Sequence, residues 1–108
     1  MKFQVTSDNI DVSDSMVAMV HDKFDRLAGR YGHLPEDACH ARVVINSVPV
    51  DSFAIRVVAN INGKEYFTDE TAVSVEHALI ACVEELLRMT TKEQDRDWEA
   101  ARKAKGKV

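Results

Sequence analysis

The sequence predicts an α+β fold of order β-α-β-β-β-α, a two-layer sandwich in which a four-stranded sheet carries two helices on one face. Three observations predict it. Apolar residues recur at three- and four-residue spacing in two separate stretches, 17–31 and 75–89. Residues 53–61 alternate strictly, with Phe53, Ile55, Val57, Ala59 and Ile61 on one face and Ala54, Arg56, Val58 and Asn60 on the other. Asn62-Gly63 then supplies the positive backbone angles of a two-residue hairpin turn.

The elements follow in order. Met1–Thr6 alternates like a half-buried strand, with Phe3 and Val5 facing one way, and Ser7-Asp8-Asn9 breaks it. Ser13 is the expected N-cap of the first helix, with Asp14 in its positive first turn. Val17, Val20, Phe24, Leu27 and Tyr31 make its apolar stripe; Gly32 is the expected C-cap and Pro35 forbids continuation. Ala41–Ile45 reads as the second strand, and Asn46–Ser52 connects it to the alternating third. Lys64–Thr71 is the fourth, reached by the Asn62-Gly63 turn. The consecutive hairpins make these strands antiparallel, while the intervening helix lets the first strand pair by a crossover. Ser74 can cap the second helix, whose stripe is Val75, Ala78, Leu79, Cys82, Leu86 and Met89.

Composition bounds the function. The 108 residues, 45% of them apolar, fit one domain with a real core. Residues 1–92 form that domain and 93–108 a charged helical tail, in which Trp98 is the large apolar side chain. The tail is expected to project past the core and fray. No apolar run approaches signal-peptide or membrane-span length, so the expected setting is cytoplasmic with no membrane partner. Cys39 and Cys82 lie far apart without metal or redox spacing, which suits a reducing compartment. Net charge is −4. Four of the 14 basic residues (Arg102, Lys103, Lys105, Lys107) follow the last acidic one, leaving 10 basic against 18 acidic over residues 1–99. A polyanion could bind only through a local stripe or the tail, because the whole-body field repels it.

Two such stripes are present. Lys23, Arg26 and Arg30 fall at i, i+3 and i+7 on one edge of the first helix. Arg88, Lys92 and Arg96 continue the second helix at fourfold spacing. On spacing alone these are as consistent with solvated flanks, with Asp22 able to pair with Arg26 and Glu84 with Arg88. His40, Arg42 and Arg56 are expected together on the open sheet face, where solvent exposure is their ordinary role. Chemistry has little to stand on. Cys39-His40 lacks further ligands at metal spacing, His77 and Cys82 fall on different helix faces, and Ser-His-Asp, paired-carboxylate and phosphate-loop motifs are missing. The expectation is no enzyme, no cofactor, no metal and no small-molecule substrate.

The order of elements and several motifs resemble the short ribosome hibernation-promoting factor family, which includes the ribosome-associated inhibitor, protein Y. Thr6 and Asn9-Ile10-Asp11-Val12-Ser13 are similar to its first strand and entry to helix one. Lys23-Phe24-Asp25-Arg26-Leu27, then Tyr31 and His33-Leu34, resembles its Lys-Phe-x-Lys/Arg-Leu with a trailing aromatic and basic pair. Leu86-x-Arg88-x-x-Thr91-Lys92 resembles the Leu-x-Arg-Gln-Leu-x-Lys end of helix two. The resemblance spans Met1 to Lys92. It implies a stasis factor that sits in the decoding region of the small ribosomal subunit and blocks mRNA and tRNA sites without a chemical step. It also implies that Lys23, Arg26, Arg30, Arg88 and Lys92 face rRNA, in a protein expected to be monomeric. The chain departs from the family pattern at Ser74, Glu76 and Ile80, where Asp-x-Tyr-x-Ala-Ile-Asp is usual, and at Glu85, where a lysine is usual.

Two other readings compete. A double-stranded-RNA-binding module shares the α-β-β-β-α order but sets lysines at the start of its last helix, where this chain reads Ser74-Val75-Glu76-His77. A diverged member binding a protein through the open sheet and the Trp98 tail suits the acidic balance and Glu85.

Overall fold

Alternation and periodicity become one mixed sheet under two helices in the computed structural model, which describes the backbone of residues 1–106 and the side chains of residues 1–92. The elements are β1 (Lys2–Thr6), α1 (Asp14–Arg30), a single 3-10 turn (Glu36–Ala38), β2 (Cys39–Val48), β3 (Ser52–Ile61), β4 (Lys64–Ala72) and α2 (Val75–Gly106). The sheet order is β1-β2-β3-β4. β1 runs parallel to β2, with Lys2 opposite His40 and Thr6 opposite Val44. β3 is antiparallel to both neighbours, pairing Val57 with Val43 on one side and Thr68 on the other. The fold is the predicted α+β sandwich.

The caps and turns form as their residue types dictate. Ser13 Oγ accepts from the Met16 N–H at 3.2 Å, and Ser74 Oγ accepts from the His77 N–H at 3.1 Å. Asn62 (φ 51°) and Gly63 (φ 90°) both take left-handed angles, as the tight β3–β4 turn needs. Two boundaries differ from the sequence reading. α1 ends one turn position earlier, with Tyr31 at the C-cap and Gly32 beyond it. β2 and β3 also pair further towards their hairpin, down to Val48 opposite Ser52, so the connection shrinks to Pro49-Val50-Asp51. Backbone pairing there outweighs the turn-forming composition of Asn46-Ser47.

Phe24, Leu27, Ile55, Val57, Leu79 and Leu86 are fully buried between sheet and helices, as predicted. Phe53 is only half-buried, because it pairs with Ser47 and Ala72 at the end of the sheet. Phe3 meets Phe24 edge-to-face at 5.4 Å between centroids, fastening β1 to α1. Cys39 and Cys82 are buried free thiols. Burial pushes the Cys82 thiol up to about 12, helped by the charges of Glu70 and Asp69. The 92/93 boundary of the expected tail falls inside the continuous helix α2, and the side chain of Trp98 lies outside the described residues.

Candidate nucleic-acid interface

The basic edge of α1 lies along α2, while Arg88 and Lys92 do not line the groove between the two helices. Lys23 of α1 meets Glu76 in the first turn of α2, and Arg30 at the end of α1 meets residues 87–91 further along α2, so the helices run in the same direction. Between them opens a groove of about 190 Å³ lined by Asp22, Lys23, Arg26, Ile80, Val83 and Glu84. Spacing puts Lys23, Arg26 and Arg30 on the α1 edge that faces α2, where α2 presents Ile80, Val83 and Glu84 and not Arg88 or Lys92.

The five cations differ in what they touch. Lys23 Nζ sits 3.2 Å from Glu76 and 3.4 Å from Asp22, its side chain 24% exposed. The hydrogen bond to Glu76, more than any other influence, raises its pKa above the ordinary lysine value. Arg88 pairs with Glu85, one turn back on its own helix, and not with Glu84. Likewise Asp22 pairs with Lys23 and not with Arg26. Arg30 turns inward: Nη1 donates to Thr90 Oγ1 at 2.9 Å, Thr91 Oγ1 at 3.0 Å and the Leu87 carbonyl at 3.2 Å. Arg26 and Lys92 are exposed and carry no ion pair or hydrogen bond among the described residues.

Sequence reasoning missed the acceptors of Arg30. The apolar pattern stops at Met89, which disguises Thr90 as surface, yet Thr90 is fully buried. Its hydroxyl bonds back to the Leu86 carbonyl at 2.9 Å and the Leu87 carbonyl at 3.1 Å, so it enters the interior satisfied. An Arg-facing Thr-Thr pair at the end of an apolar stripe was the available signal.

On the other sheet face His40, Arg42 and Arg56 do share one side, with Arg42 beside Val58 and Arg56 beside Val44 in register. Arg56 reaches Asp8 at 3.5 Å. Phe67, next to Val58 across the β3–β4 ladder, is 54% exposed. A concavity of about 390 Å³ runs along this face over Lys2, Gln4, His40, Arg42 and Val58. Among the described residues no cluster of three or more His, Cys, Asp or Glu side chains could hold a metal, and no helix is long and apolar enough to cross a membrane.

Residues 3–97 match the family model described as Sigma 54 modulation protein / S30EA ribosomal protein. The chain belongs to this family. S30EA-type proteins are ribosome-associated hibernation and modulation factors, so ribosome binding and translation regulation are the setting in which the two basic edges stand. Among solved structures the fold is similar to the N-terminal domain of Protein Y from Thermus thermophilus, with TM-score 0.69 and 19% identity over 84% of this chain and 93% of that one. It is also similar to a ribosomal subunit interface protein from Coxiella burnetii, with TM-score 0.71 and 12% identity over 88% and 99%. At these identities the likeness is one of fold. No individually curated protein matches the chain.

Proposed function

We propose that this chain is a stasis factor that occupies the decoding region of the small ribosomal subunit and inhibits translation by occlusion. The family match over residues 3–97 supports the reading most. Lys23, Arg26, Arg88 and Lys92 contact rRNA phosphates along the two helix edges. Arg30 braces the helices through Nη1 and offers its other donors, on Nε and Nη2, to the same backbone. Arg and Lys on two parallel helices track phosphates without reading bases, which suits structured RNA. The protein acts as a cytoplasmic monomer, without cofactor or chemical step.

Stoichiometry tests it. A titration of translation against the purified protein should reach full inhibition at about one copy per ribosome, and the protein should co-sediment with small subunits. Inhibition saturating far below one copy per ribosome rules out occlusion.

A second reading, a protein-binding module on the open sheet, is favoured by Phe67, an exposed aromatic beside Val58 on that face. Retained ribosome binding after loss of both helix edges, abolished by Phe67→Ala, selects it.

A further inference from the structure

The basic strip carries its own anions. Of its five cations, Lys23 is held by Glu76 across the helix interface and Arg88 by Glu85 within α2, while Arg26 and Lys92 stand free among the described residues. Glu76 is half-exposed and Glu85 about one-third exposed. Neither carboxylate fills a core position, and each is ion-paired with a cation of the strip. Asp22 doubles the negative charge on Lys23.

We infer that Glu76 and Glu85 are specificity-determining residues: internal counterions that a ligand must displace, so that the strip accepts densely packed phosphates of folded rRNA and rejects ordinary RNA. The inference rests on the proposed ribosome-binding role. A phosphate that docks on Arg26 or Lys92, unpaired among the described residues, breaks no ion pair among them as it releases condensed cations. A phosphate that docks on Lys23 must first free Glu76, which then recruits a cation of its own from solution. The release and the uptake cancel. An isolated duplex, presenting phosphates on one regular surface, gains from two cations and is repelled by at least three carboxylates. A folded RNA pocket that presents phosphates to both helices at once engages the free cations first. It then holds its remaining phosphates against the Lys–Glu and Arg–Glu pairs at high local concentration. The geometry thus sets a threshold of phosphate density.

The salt dependence of binding reads this out directly. Only unpaired cations contribute fully to the slope of log K against log salt, so the wild-type slope should be shallow for a strip of five cations. Glu76→Gln with Glu85→Gln keeps shape and hydrogen-bonding capacity but removes both counterions. In that variant the slope should steepen by about two units on small subunits, one for each released cation. Affinity for a plain RNA duplex at low salt should rise by about tenfold. Circular dichroism of both proteins checks that the fold is unchanged.

The outcomes separate cleanly. If the wild type binds small subunits and the variant has the same slope and the same duplex affinity, the inference is overturned and the stasis role stands. If the variant gains duplex binding with a steeper slope although the wild type ignores small subunits, the counterion role stands and the stasis role falls. If neither protein binds either RNA, both are wrong.

Discussion

Arg30 Nη1 lies 2.9 Å from Thr90 Oγ1, and through this contact the last turn of α1 is tied to the middle of α2. A residue that spacing alone assigns to a solvent-facing stripe is a brace between helices. Charged hydrogen bonds of this kind contribute about 2 kcal/mol, and the buried Thr90 hydroxyl keeps its bonds to the α2 carbonyls when the arginine is lost.

Arg30→Ala should therefore lower stability by about 2 kcal/mol and the melting temperature by roughly 10 °C. Arg30→Lys should recover part of the loss, since all three acceptors meet one nitrogen and an ammonium also carries three donors, on a shorter arm. Chemical denaturation with equal midpoints for wild type and Arg30→Ala would contradict the brace.

Arg26 and Lys92 should behave in the opposite way. Changing both to Ala should leave stability within about 0.5 kcal/mol, because both are exposed and neither makes an ion pair or hydrogen bond among the described residues. Binding to small subunits should weaken, with the salt slope flatter by about one unit per side chain. Arg42→Ala with Arg56→Ala, on the open sheet, should leave the slope unchanged. Sedimentation at three salt concentrations distinguishes the two pairs, and the reverse pattern would move the interface to the sheet.

Phe24→Ala should be the most damaging of the single core changes. The ring is fully buried, meets Phe3 edge-on and sits at the junction of α1 with the sheet. Deleting it should cost about 4 kcal/mol, a large part of the stability of a domain this size, and thermal melting should register it as a broad, early transition. Melting within a few degrees of wild type would mean that the α1 stripe is not the centre of the core.

Cys82 should be inert in the folded protein. Its thiol, pushed to about 12, stays protonated at neutral pH, and burial blocks access as well. In the unfolded chain the thiol ionises near pH 9. Stability from this group is therefore complete below about pH 9 and falls as pH rises towards about 12, because the unfolded state loses its proton first. Maleimide labelling under native conditions should proceed only at the rate of unfolding, and Cys82→Ser should flatten the alkaline loss of stability. Rapid labelling at neutral pH would refute the assignment.

The strands and helices were legible because each buries one face and so writes its period into the residues. The Ile55-Val57-Ala59-Ile61 alternation and the Val20-Phe24-Leu27 stripe each admit a single packing. The positions of the five cations were legible for the same reason, since helical spacing places them on edges. Their partners were not. Glu76 reaches Lys23 from another helix, and which of Glu84 or Glu85 takes Arg88 depends on side-chain direction that i,i+3 and i,i+4 spacing leaves open. Thr90 was invisible because a hydroxyl that satisfies itself on the preceding turn can be buried at a position that reads as polar.

The parallel pairing of β1 with β2 is the longest-range closure in the sheet. β2, β3 and β4 are joined by tight turns and can zip in sequence, but Lys2 must find His40 across the whole of α1. During synthesis β1 and α1 leave the exit tunnel with no surface to cover: the partner edge of β2 comes later, and Ile55 and Val57 later still. The N-terminal strand thus stays unpaired until β2 has emerged. Its amides, paired on one side only as the sheet's border, should exchange with solvent faster than those of β2 and β3.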